Sequence, residues 1–177
     1  MSARIVIIGA GGHARVVCEA VLTQGKYDIA GFVDANIPPG TEVMNGYNVI
    51  LAQADMHQLK AYADCFVVAI GNNKVRENIY GQMKDILPPA TIIHPSATVA
   101  GSAEIGAGTV ILAKSVISSF CRVGENTIIN AGVIVDHDTG IGSNVHLSIG
   151  TMVGSNSTVP HGTVTLIGQN INAFSRL

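Results

Sequence analysis

Residues 123–147 read VGENTIINAGVIVDHDTGIGSNVHL, with an Ile, Val or Leu at every sixth position: Val123, Ile129, Val135, Ile141 and Leu147. The same phase runs back through Ile117, Ile111, Ile105 and Val99 to Ile93, and forward through Val153 to Val159. Twelve such positions in one phase would arise by chance about once in a million trials, even allowing six phases. Four residues after each apolar position comes a small or short side chain, as at Ala97, Ala103, Thr109, Ser115, Cys121, Thr127, Thr139, Thr151 and Ser157. Glycine follows directly at Gly106, Gly124, Gly142 and Gly154, where a tight corner has no room for a Cβ. A solenoid of short parallel strands, three hexads to each triangular turn, satisfies all of this. The branched side chain fills the interior and the small one leaves space near each corner. Turns of about 18 residues would then stack at roughly the 4.8 Å spacing of neighbouring strands.

Upstream of Ile93 the period is lost. Residues 1–92 hold 15 of the 22 charged side chains, and the apolar residues fall into runs rather than hexads. Ile5 to Ile8, ending at Gly9, reads as a buried parallel strand. Gly12 to about Gln24 has helical spacing and Gly25 supplies its stop. Ile29 to Val33 reads as a second strand ending at Asp34. Asn36-Ile37-Pro38-Pro39-Gly40 reads as a surface loop, because prolines cannot extend a ladder. Cys65 to Ile70 reads as a third strand, followed by Gly71-Asn72-Asn73 and a helix to about Ile86. These βαβ-like units predict a small parallel sheet with flanking helices, a Rossmann-like α/β domain. Leu87-Pro88-Pro89 ends the last helix. The expected organisation is an α/β domain over residues 1–92 followed by a parallel β-helix over residues 93–177.

Composition narrows the function classes. The 177 residues are 47% hydrophobic, which excludes intrinsic disorder, and 12% charged. The net charge is −2 with no run of Lys or Arg, which argues against a nucleic-acid partner. The first apolar run is too short for a signal peptide, and no stretch of 18 uncharged apolar residues predicts a membrane span. Three cysteines, Cys18, Cys65 and Cys121, form no CxxC pair. They read as free thiols in a reducing cytoplasm, and no metal site is predicted.

Two groups of residues suit chemistry. Gly9, Gly11 and Ala14 fit G-x-G-x-x-A between strand and helix, with Asp34 twenty residues beyond Ala14. Such glycines let the backbone approach a diphosphate at the helix N-terminus, and the acid can bind a nucleoside part. His13 sits beside them, to meet a phosphate or sugar or to serve as a plain surface residue. His137 stands third in its hexad, away from the inward positions. An outward imidazole beside a carboxylate, Asp136 or Asp138, suits proton transfer near neutral pH. His146 also faces outward, nine residues on, about half a coil away and therefore on a different face.

The hexads resemble the left-handed parallel β-helix of hexapeptide-repeat acyltransferases. Ile7-Ile8-Gly9-Ala10-Gly11-Gly12-His13-Ala14 resembles their sugar-modifying subgroup, which carries an N-terminal nucleotide-binding domain. So do Gly71-Asn72-Asn73-Lys74-Val75-Arg76, Val135-Asp136-His137-Asp138 and Val145-His146-Leu147-Ser148-Ile149-Gly150. That subgroup contains amino-sugar-nucleotide N-acetyltransferases and sialic acid O-acetyltransferases. The resemblance implies an acetyl-CoA-dependent acetyltransferase with acetyl-CoA as co-substrate. The preferred acceptor is a UDP-linked 4-amino-sugar of surface-glycan biosynthesis; the alternative is O-acetylation of sialic acid. It implies His137 as general base and Asp138 as its orienting acid. Gly9, Gly11, Gly12, His13, Asp34, Asn72 and Asn73 would hold the nucleotide sugar. His146, Gly150 and Gly154 would place the acetyl donor, unless the histidine packs an interface and the glycines are structural corners. One solenoid cannot easily bring His137 and His146 to one substrate, but solenoids packed side by side could, so a homotrimer with three active sites between subunits is expected.

After Val159 the next apolar-glycine pair, Ile167-Gly168, comes eight residues on rather than six. A two-residue slip or bulge across residues 160–165 is expected there. The sequence also ends at Leu177 without the further coil and closing segment usual in the group, which puts donor binding and activity in question. Two rival functions remain: a zinc hydratase resembling the gamma carbonic anhydrases, and a non-catalytic nucleotide-sugar-binding subunit.

Overall fold

The computed structural model describes residues 2–177. The chain falls into two compact units, Met1–Ala90 and Thr91–Leu177.

The first unit is built on a five-stranded sheet in the order β3-β4-β2-β1-β5. Its strands are β1 (Ala3–Ile8), β2 (Tyr27–Asp34), β3 (Glu42–Met44), β4 (Tyr47–Ala52) and β5 (Cys65–Val68). Ile5, Val6, Ile7 and Ile8 are all fully buried, as a strand covered on both faces must be. Helix α1 (Gly12–Gln24) ends where Gly25 turns left-handed at φ 67° and its N–H bonds the Val21 carbonyl. Helix α2 (Asn73–Met83) begins where the Asn72 side chain accepts the Val75 N–H at 3.1 Å.

The sheet is mixed rather than wholly parallel, because β3 runs antiparallel to β4. That hairpin adds to the expected elements, and Asn45-Gly46 between Met44 and Tyr47 carries its signal. Both residues have positive φ, 53° and 79°, as a two-residue hairpin turn demands. A 3-10 helix over Gln53–Ala61 is a further addition. The expected third strand stops at Val68 instead of Ile70, since Ala69 and Ile70 already turn toward α2, which closes at Met83.

The second unit is a three-sided parallel β-helix. One face carries β6 (Ile92–Ile93), β9 (Val110–Ile111), β12 (Ile128–Ile129) and β15 (His146–Leu147). The second carries β7 (Thr98–Val99), β10 (Val116–Ile117), β13 (Ile134–Val135), β16 (Met152–Val153) and β18 (Asn170–Ile171). The third carries β8 (Glu104–Ile105), β11 (Arg122–Val123), β14 (Gly140–Ile141) and β17 (Thr158–Val159). Every pairing joins residues one turn apart, such as Ile129 with Leu147 and Val135 with Val153. Ile111, Ile117, Val123, Ile129, Val135, Ile141, Leu147, Val153, Val159 and Ile171 form one buried column.

The short side chains do more than leave room. Thr109, Thr127 and Thr139 donate their hydroxyls to the carbonyls of Gly124, Gly142 and Gly154, at 2.8, 2.9 and 3.1 Å. Each is buried, so these bonds satisfy groups that would otherwise be costly in the interior. The glycines permit the contact between turns: a Cβ on Gly124 would lie 2.4 Å from the Ser143 nitrogen, and one on Gly154 2.5 Å from the Ala173 nitrogen.

The expected slip after Val159 does not occur. Val164 bridges His146, β18 pairs with β16, and Arg176 bridges Thr158, so the 18-residue register persists. Thr165, 3% exposed, takes the inward position that the hexads reserve for an aliphatic residue. Its hydroxyl accepts the Ser148 N–H at 2.8 Å and lies 2.8 Å from that of Thr151, so hydrogen bonds replace apolar filling. Ile167-Gly168 is a corner pair stacked on Ile149-Gly150, and Ile167 is 77% exposed.

Candidate functional site

In the α/β unit, β1 is flanked by β2 on one side and β5 on the other, so the connections diverge at its C-terminal end. Open α/β sheets bind ligands in the crevice at such a point. A cavity of about 370 Å³ opens there. Gly9 to His13 after β1, Asp34 to Asn36 after β2, and Ala69 to Gly71 after β5 line it. Gly9 has φ 104° and a Cβ there would strike Ile70 at 2.8 Å. At Gly11 and Gly12 a Cβ would meet nothing within 4 Å, so the backbone of the first turn of α1 is open to the cavity. A second cavity of about 570 Å³, which no sequence signal marks, shares Ala35 and Gln53 with the first and is otherwise lined by Ala52, Ala54, Met56, His57, Gln82 and Ile86.

Three of the polar residues expected to touch a ligand are engaged by the protein itself. Asp34 Oδ2 accepts the Ala10 N–H at 2.8 Å, while Oδ1 accepts those of Asn36 and Ile37 at 2.8 and 3.1 Å. The carboxylate thereby ties the glycine loop to the loop after β2. Asn72 caps α2, and Asn73 Oδ1 accepts from Arg76 Nη2 at 2.7 Å. Neither asparagine lines the cavity, whereas Gly71 does.

In the β-helix, His137 and Asp138 form the corner between the second and third faces. The His137 ring is half exposed, and Nδ1 lies 2.7 Å from Asp138 Oδ2. An ionised carboxylate only accepts, so Nδ1 carries the proton and Nε2 is left as the free lone pair. The hydrogen bond to Asp138, aided by the nearby charge of Asp136, raises the imidazole above its usual value of 6.5. Asp136 acts elsewhere, its Oδ1 accepting the His137 backbone N–H at 2.8 Å. Of the two flanking acids, Asp138 therefore holds the ring and Asp136 holds the backbone. The same corner carries Phe120 and Phe174, both with positive φ and 68% and 77% exposed.

His146 opens β15 on the first face, opposite that corner, so one chain holds the two histidines on opposite sides of the prism. Its Nε2 lies 3.2 Å from Nδ2 of Asn130, one turn below. Asn130 carries no signal of its own in the sequence; its outward position beside His146, 16 residues away, emerges only once the turns stack. Gly150 is a left-handed corner at φ 68°, and Gly154 is held without a side chain by the next turn. Among the described residues no cluster of three His, Cys, Asp or Glu is placed to hold a metal ion.

A crevice at a sheet's switch point, joined in one chain to a hexad β-helix with an outward His–Asp pair, defines a two-domain class. Residues 4–83 match the family model of the PglD N-terminal domain. Over 115 residues the chain is 35% identical to UDP-N-acetylbacillosamine N-acetyltransferase of Bacillus subtilis (strain 168). That match covers 62% of this chain and 51% of the relative, so the chain spans about half the length of that curated protein. A variant of perosamine N-acetyltransferase from Caulobacter crescentus, solved with CoA and GDP-perosamine, superposes with TM-score 0.78 at 30% identity, over 97% of this chain and 84% of that one. The acetyltransferase domain of PglB from Neisseria gonorrhoeae FA1090, also solved with acetyl coenzyme A, superposes with TM-score 0.75 at 30% identity, over 99% and 88%. The chain belongs to the hexapeptide-repeat sugar acetyltransferases with a PglD-type N-terminal domain, and its fold is an α/β domain followed by a left-handed parallel β-helix.

Proposed function

We propose that this chain is an acetyl-CoA-dependent N-acetyltransferase whose acceptor is a nucleotide-linked amino-sugar, preferably a UDP-linked 4-amino-sugar. The observation that carries the reading is the His137–Asp138 pair, which leaves an accessible imidazole nitrogen with the tautomer a general base requires. The solved relatives with CoA, acetyl coenzyme A and GDP-perosamine support the same pair of substrates.

Transfer is direct. The acceptor amine attacks the thioester carbonyl as His137 Nε2 takes its proton, and backbone N–H groups stabilise the tetrahedral oxyanion. Collapse breaks the C–S bond, and the departing thiolate takes the proton back from the imidazolium. Asp138 stabilises that imidazolium without itself being protonated. The glycine loop and first turn of α1 bind the diphosphate of the sugar nucleotide.

His146, with Asn130, places the acetyl donor. Because the two histidines lie on opposite sides of one prism, the complete site needs a neighbouring copy. A homotrimer, with one site at each seam, supplies it. Free, buried Cys18, Cys65 and Cys121 suit a reducing cytoplasm, and no helix of the described residues is long and apolar enough to cross a membrane. The test is release of free CoA from acetyl-CoA in the presence of a panel of UDP- and GDP-linked amino-sugars and sialic acid. Release with an amino-sugar nucleotide is expected; release with sialic acid alone, or with no acceptor, overturns the reading.

A further inference from the structure

Arg76 is an arginine that the fold buries almost completely, at 1% exposure, within an otherwise sparsely charged protein. Taking a guanidinium out of water is costly unless its donors are met. Here Nη1 donates to the carbonyls of Ile70 and Gly71 at 3.1 and 3.3 Å, and Nη2 donates to Asn73 Oδ1 at 2.7 Å. Those three acceptors span the turn from β5 into α2, and Ile70 and Gly71 are walls of the cavity that Gly9 to His13 line from the other side.

We infer that Arg76 is a positioning residue for nucleoside-diphosphate binding: its buried fork holds the β5–α2 turn in the shape, and with the charge, that a diphosphate requires. This rests on the nucleotide-sugar reading of that cavity.

The placement follows from helix geometry. A side chain in the first turns of a helix leans toward the N-terminus, so an arginine four residues after the cap Asn72 reaches back beneath the turn. In a trans peptide the N–H points opposite to the C=O. Drawing the Ile70 and Gly71 carbonyls toward the guanidinium therefore turns the N–H dipoles of Gly71 and Asn72 the other way. A full positive charge then lies directly behind the wall, where low dielectric preserves its field. Burial lowers the guanidinium to about 10, which still leaves it cationic at neutral pH. An apolar residue of similar volume would fill the space at less cost, but it would remove the guanidinium's hold on the two carbonyls and its field.

The test uses the full chain and UDP as the probe. Calorimetric titration is run on the wild type, R76K and R76Q, with steady-state acetylation kinetics on the same proteins. R76K keeps the charge and loses the fork; R76Q keeps an amide donor and loses the charge. The UDP dissociation constant and the sugar-nucleotide KM should both rise about tenfold or more in R76Q and by less in R76K. The values of kcat and the acetyl-CoA KM should stay within about twofold, a split that mere loss of folded protein does not produce. Variants that melt cooperatively and bind UDP as tightly as the wild type overturn the inference. So does an R76K that no longer folds, which would make the residue structural. A wild type that binds neither UDP nor GDP instead removes the nucleotide reading on which it rests.

Discussion

Asp138 takes a left-handed backbone conformation, φ 58°, directly after His137, and its carboxylate meets the imidazole of its own neighbour at 2.7 Å. Consecutive residues on a strand point to opposite sides; a tight corner lets two of them converge. The pair also stands half exposed, where an acceptor can reach it.

Replacing His137 by alanine removes the proposed base and leaves the surrounding turns untouched, since the ring packs into no interior. Turnover should fall by about 10² to 10⁴ while the KM values change little. Steady-state kinetics with a thiol-release readout, beside a thermal melt matching the wild type, checks both halves of this. Wild-type turnover in H137A would remove the residue from the mechanism.

The His137 pKa is raised first by its hydrogen bond to Asp138. A base must be neutral, so kcat/KM should climb with pH through a value above the ordinary 6.5 and then level. In Asp138→Asn the largest cause of the rise is gone and only the charge of Asp136 remains. The acid limb should therefore move to lower pH while the plateau drops, because the amide no longer selects the tautomer. The stability linkage has the opposite sense. A raised folded-state pKa contributes stability below the unfolded value, and that contribution fades as pH rises through the raised one. An acid limb that stays in place in D138N contradicts the assignment of the cause.

His146 and Asn130 face outward, with their side chains 3.2 Å apart. If they place the donor, H146A should raise the acetyl-CoA KM about fivefold, the worth of one lost hydrogen bond, and leave the sugar-nucleotide KM unchanged. Initial-rate measurements varying each substrate in turn separate the outcomes. A change confined to the sugar-nucleotide KM would reverse the assignment.

Gly124 faces the next turn so closely that a methyl group would meet the Ser143 nitrogen at 2.4 Å. Gly124→Ala should force neighbouring turns apart and cost about 1–3 kcal/mol, as overpacking does elsewhere. Ile129→Ala, at the fully buried centre of the column, should cost about 2–5 kcal/mol by leaving a cavity. Chemical denaturation monitored by circular dichroism gives both values.

Much of this molecule is legible in its residues alone. The hexads from Ile93 to Val159 locate every inward side chain, because six residues span one side of the prism whatever the outward residues are. The pattern misleads only at Thr165, where hydroxyl bonding replaces an aliphatic side chain and the corner pair Ile167-Gly168 imitates a shifted hexad. In the α/β unit the glycine loop is readable. The jobs of Asp34, Asn72 and Asn73 are not, since a polar residue beside such a loop looks alike whether it meets a ligand or a backbone N–H. Asn45-Gly46 does announce the β3–β4 hairpin, but β3 before it is only three residues long, too short to stand out as a strand.

Periodicity and glycine placement determined, by themselves, that the chain would form an α/β domain and a stacked β-helix with His137 outside. Both are properties of spacing along the backbone, and burial enforces them position by position. Only the tertiary structure decided which acid holds the imidazole, that Asn130 lies against His146, and that Arg76 sits beneath the wall of the cavity at the end of β1. Those choices are hydrogen bonds, and a hydrogen bond depends on separations of a few ångströms and on direction, which arise only once the turns and loops have packed.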